Sequence, residues 1–101
     1  RGNHWVALFI DEYKNGVYLD SFGLPPTVKT IKKFISENCV YIEIIKKQLQ
    51  QNHSNVCGKY AAVFLVHRFY GNPVERFIKY FNSNLYLNDM LIERLFYQLI
   101  K

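Results

Sequence analysis

The 101-residue chain has little cysteine. Cys39 and Cys57 are too few for a disulfide framework, and their spacing is not that of a zinc site. A reducing compartment, cytoplasm or nucleus, is therefore the simpler expectation. No apolar run approaches the roughly 20 residues of a membrane-spanning helix, so no membrane partner is expected. Internal repeats, low-complexity tracts and linkers are also missing, which leaves one domain, 1–101, with one core. So are dense basic tracts. The formal net charge is +5, but the lysines are scattered from Lys14 to Lys101. They read as a solvated face, with weak attraction to nucleic acid at most. No cofactor and no metal are expected.

Half of the residues are hydrophobic and 17% are aromatic, which excludes a disordered tail. The chain starts at Arg1 rather than Met, and Arg1-Gly2-Asn3 runs almost directly into a strand-like segment. It reads as a piece of a longer polypeptide. His4 to Ile10 is apolar almost throughout and short, as in a buried strand. Val17 to Leu19 is a second strand, ended by Asp20-Ser21-Phe22-Gly23. The pair should form an antiparallel hairpin. A tight turn at Asn15-Gly16 would set His4 opposite Thr27. A wider loop, roughly Asp11 to Asn15, would set it opposite Phe22 and close to Asp20.

Pro25-Pro26 breaks the chain, and Thr27 is the expected N-cap of a helix ending near Asn38. Its apolar stripe is Val28, Ile31, Phe34 and Ile35. Cys39 to Ile45 is β-branched and aromatic, hence a third strand. A helix from Cys57 should end at Gly71. Pro73 opens another, with Val74, Phe77, Ile78 and Phe81 buried. Asn88-Asp89 should cap a last helix, with Leu91, Leu95 and Leu99 on one side and Ile92, Phe96 and Ile100 beside them. The class is α+β, a small and mostly antiparallel sheet against helices.

The chain is organised around Gln50-Gln51-Asn52-His53-Ser54-Asn55-Val56-Cys57-Gly58. A polar loop here feeds an apolar helix whose first turn holds a cysteine. The unpaired N–H groups and the dipole at that end favour an anion. Gly58 leaves room for another backbone to approach the sulfur. Thiol catalysis also needs an imidazole, a group to orient it and donors for the oxyanion. His4, Asp20 and Gln50 supply these types, each at the edge of an element. His53, four residues before Cys57, reads as an exposed loop residue. His67 is ten residues into the helix, roughly 15 Å along its axis from Cys57, and reads as a core-edge histidine.

His4-Trp5, then Tyr18-Leu19-Asp20-Ser21-Phe22-Gly23, then Gln50 and Ser54 with Cys57-Gly58 resemble the adenain-type cysteine proteases. Those include the adenovirus maturation protease and the protease of Polinton/Maverick transposons. The SUMO-specific proteases are similar but more distant. The resemblance covers His4 to about Tyr70. It implies a papain-like fold in rearranged order, with this chain as the C-terminal part of the domain. It also implies cleavage of a protein or peptide substrate after small residues, often glycine. By position it makes His4 the base, Asp20 the orienter, Gln50 the oxyanion donor and Cys57 the nucleophile. The adenovirus protease has glutamate where Asp20 stands, whereas the SUMO proteases have aspartate.

The SUMO-protease pattern favours Gln51 as the donor. Gln50 is preferred because it also places Ser54 and Cys39 without a gap. Neighbours in an extended segment face opposite ways, so only one of the two glutamines faces the cleft. Trp5 should pack beside the site, its backbone N–H being a further candidate donor. Cys39, similar in position to a cysteine that tethers an activating peptide in the adenovirus enzyme, is read as a plain buried strand cysteine. Beside an endopeptidase stand three alternatives: a protease of SUMO or ubiquitin-like proteins, an acyltransferase, and a non-catalytic binding module on the same fold.

Overall fold

The structure, a computed structural model, describes residues 4–100. Arg1-Gly2-Asn3 and Lys101 lie outside the described residues. Strand β1 (Ala7–Ile10) pairs antiparallel with β2 (Asn15–Leu19), and β2 pairs parallel with β3 (Tyr41–Ile44). Helix α1 (Lys29–Asn38) links β2 to β3, and α2 (Cys57–Phe69), α3 (Val74–Lys79) and α4 (Leu85–Ile100) follow. The fold is α+β, three strands against helices. The sheet is mixed rather than mostly antiparallel, because α1 carries the chain back across the sheet and starts β3 alongside the start of β2. None of the helices is long and apolar enough to cross a membrane among the described residues.

The hairpin takes the wide loop. Asp11 organises it: its carboxylate accepts the N–H groups of Tyr13 and Asn15, both at 2.9 Å. Lys14 adopts a left-handed φ of 66°. Asn15-Gly16 is thereby absorbed into β2 rather than forming the turn. The register pairs Ala7 with Leu19 and Ile10 with Gly16, which continues to His4 against Phe22. Strand β1 is shorter than its apolar run. His4 to Val6 lie outside the ladder, and Trp5 reaches α2.

The core joins Ala7 and Leu19 of the sheet to Leu49, Tyr60, Phe64, Phe77 and Ile92. Phe64, Phe77 and Phe81 meet edge to face, with centroids 5.2 Å apart in each successive pair. Val74, Phe77 and Phe81 are buried as their spacing requires, and Ile78 packs against them. Helix α2 ends as expected. Gly71 has φ 82°, its N–H reaches Arg68 O and that of Asn72 reaches His67 O, a Schellman closure.

Several expected boundaries differ. Helix α1 begins at Lys29, with Val28 and not Thr27 at its N-cap and no side-chain cap bond. Of its stripe only Ile35 is buried. Val28 and Phe34 are about half exposed, because α1 meets the core through one edge. Cys39 closes α1 and β3 starts two residues later. Asn88 and Asp89 do not cap α4. Asn84 does, its Oδ1 accepting the Leu87 N–H at 3.1 Å. Asn88 and Asp89 lie inside the helix and are buried. In the same helix Ile92 is buried, whereas Leu99 and Ile100 are exposed.

Gly23 fixes the turn after β2. Its φ is 79°, and a Cβ there would stand 2.8 Å from Lys46 O and 2.9 Å from Gln48 N. Both obstacles are backbone, so the turn and the 46–48 segment touch only because the side chain is a hydrogen. Gly23→Ala is expected to cost about 1–3 kcal/mol or more. Urea denaturation checks this, and an unchanged midpoint would refute the close approach.

Candidate active site

Cys57 is the first residue of α2 and is buried; Val56 before it makes no side-chain cap bond. The thiol thus takes a place where helix N–H groups and the dipole favour negative charge. The backbone N–H of Trp5 donates to its Sγ at 3.3 Å. The Trp5 ring lies on Gly58, where an added Cβ would meet it at 3.3 Å. The indole itself stays 60% exposed.

His4, just ahead of β1, places Nε2 3.0 Å from Asp20 Oδ1. Its ring stacks on Phe22 with centroids 5.2 Å apart. Asp20 is buried, and the same Oδ1 accepts the Phe22 N–H at 2.8 Å. Two donors thus hold the carboxylate in place. With Nε2–H on Asp20, Nδ1 is the nitrogen left to take a thiol proton.

The two glutamines separate sharply. Gln50 is fully buried and lines the cleft, whereas Gln51 is exposed and does not. Gln50 Oε1 accepts a hydrogen bond from Ser21 Oγ, and Nε2 donates to Ser54 O and Ser54 Oγ, both at 3.0 Å. The backbone N–H groups of Leu49 and Gln50 both donate to Ser21 O, at 2.9 and 3.0 Å. Ser21, next to Asp20, therefore ties the glutamine segment to the carboxylate turn. Its place in Asp-Ser-Phe-Gly was visible in the sequence, but this role was not, because both partners lie across the fold.

One cleft of about 1200 Å³ gathers His4, Trp5, Asp20, Gln50, Ser54 and Cys57. Tyr18 also lines it. Burial, and then the Asp20 charge, push its phenol up from the usual tyrosine range, so it stays neutral. Among the described residues no lysine or arginine lines this cleft, despite the net charge of +5. His53 stands on its rim from the loop before α2. His67 is buried away from it, its Nε2 3.1 Å from Pro73 O and its ring against Phe77 and Tyr80. Cys39 is half-buried against Gly16, at the loop end of the hairpin and outside the cleft. No three His, Cys, Asp or Glu side chains gather as a metal site among the described residues.

A small sheet against helices thus places a helix-terminal thiol in one cleft with a histidine–aspartate pair and a buried glutamine, the side-chain types that thiol peptidases use. The description of the Ulp1 protease family, C-terminal catalytic domain, matches residues 1–97, and the chain belongs to that family. It is also 32% identical over 88 residues to a protein of Acanthamoeba polyphaga mimivirus named as a thiol protease. That match covers 76% of this chain, which spans 28% of the viral protein's length. No solved structure matches the chain.

Proposed function

We propose that this chain carries the catalytic centre of a cysteine endopeptidase that cleaves protein substrates. Cys57 attacks the scissile carbonyl, His4 takes the thiol proton through Nδ1 and returns it to the leaving amine, and Asp20 holds the imidazole through Nε2. The Gln50 amide and the Cys57 backbone N–H stabilise the oxyanion, with Trp5 N–H as a further donor beside the sulfur. A preference for small residues before the cut, often glycine, is carried over from the adenain and SUMO-protease resemblance. The observation that carries the reading is the His4–Asp20 bond in the cleft that also holds Cys57 at the start of α2.

Alkylation tests it. Cys57 should react with iodoacetamide at pH 6 at least tenfold faster than Cys39, because Cys57 has a helix N-terminus and shares its cleft with an imidazole, whereas Cys39 closes the C-terminal end of α1. His4→Ala should remove most of that difference. Peptide mapping after timed labelling gives both rates, and equal labelling of the two cysteines would end the reading.

A further inference from the structure

Two polar side chains buried inside helices have no part in the chemistry above. Tyr60 of α2 is fully buried and Asn88 of α4 is 2% exposed. Both converge on one backbone atom, the carbonyl oxygen of Leu49. Asn88 Nδ2 donates to it at 3.0 Å, and Tyr60 Oη approaches it at 3.2 Å. The one phenol hydrogen goes first to Asp89 Oδ1, 2.8 Å away, with the Leu49 carbonyl as the weaker second acceptor of a shared bond. Burial, and then the bond to Asp89, push the Tyr60 phenol far above the usual tyrosine range, so its proton stays in place. Asn88 spends its other amide hydrogen on Asn82 O at 2.8 Å, and its Oδ1 accepts the Asn82 N–H at 3.0 Å.

Asparagine and aspartate are poor residues for a helix interior, and burying them is costly without partners. Asn84 already caps α4, so helix formation does not explain them. What they accomplish together with Tyr60 is to close off the last free group of the Leu49 peptide. Ser21 O holds its N–H and that of Gln50 from one side, and α2 and α4 hold its carbonyl from the other. The next residue is Gln50. A glutamine side chain has three rotatable bonds, so its amide is aimed only as well as its Cα is fixed.

We propose that Tyr60 and Asn88 are positioning residues for the oxyanion donor, fixing through the Leu49 carbonyl the backbone from which the Gln50 amide reaches the cleft. This rests on the reading of Gln50 as that donor. A small displacement there is costly, since misplacing a catalytic group by about 1 Å loses up to roughly 10²-fold in rate.

A double-mutant cycle in the full-length protein tests it, with kcat and KM on a cleavable peptide, alkylation of Cys57 and thermal unfolding measured for each variant. Tyr60→Phe keeps the ring and removes only the hydroxyl. It should lower kcat roughly 10-fold while KM and the Cys57 alkylation rate stay unchanged. Asn88→Ala should do the same, and serves if Tyr60→Phe proves too unstable once Asp89 loses its phenol partner. In a Gln50→Ala background neither substitution should lower kcat further. Equal losses in both backgrounds would show a general structural role and overturn the proposal. So would an unchanged kcat in both single variants. If Gln50→Ala were itself silent, the donor assignment beneath the proposal would fall with it, an outcome distinct from the other two.

Discussion

Cys57→Ala should abolish cleavage while leaving the fold in place. The loss expected from removing a nucleophile of this kind is on the order of 10⁵–10⁶ in kcat, because no neighbouring group takes over its attack. Structural cost is small by comparison. Alanine is the best helix former, and the site is the first turn of a 13-residue helix. The sulfur gives up its contact with the Trp5 N–H, so the change in stability should stay within about 1 kcal/mol. Peptide cleavage and thermal melting, measured on one preparation, check both halves. Cleavage above about a hundredth of the unsubstituted rate would place the nucleophile elsewhere.

The second large effect belongs to the glutamines. Gln50→Ala should reduce kcat by about 10²–10³ with little change in KM, because the lost donor acts only on charge that develops in the transition state. In the resting site Nε2 donates to Ser54 O and Ser54 Oγ. In the proposed mechanism one of these bonds is exchanged for the oxyanion, and Ser54 Oγ keeps its own donation to Gln51 O at 3.1 Å. Gln51→Ala should be nearly silent, since Gln51 is exposed and outside the cleft. Steady-state kinetics on both variants decide it. The reverse pattern would move the donor one residue along the chain.

The sequence made legible what is set within a short stretch. The apolar runs announced β1 and β2, Cys57 announced the start of α2, and Gly71 its end. It left the loop width open, and there the outcome turned on one carboxylate, Asp11, outcompeting the Asn15-Gly16 turn signal. Features set by distant neighbours were not legible. Thr27 has the chemistry of a cap, but α1 starts two residues later. Asn88-Asp89 looks like a helix start because nothing local reveals that its partners are Leu49, Tyr60 and Asn82. The stripe of α1 reads as core, and only the packed fold shows that most of it stays outside.

The Trp5–Cys57 contact joins residues 52 positions apart, and the Ser21–Gln50 contact joins residues 29 apart. No fragment of the chain contains a working centre in miniature. Long-range closures of this kind carry a large entropic cost and come late in folding. A nascent or partly unfolded copy therefore holds a thiol without its imidazole and a glutamine without its anchor. In the proposed mechanism, the ability to cut other proteins is switched on by the same cooperative step that makes the domain compact.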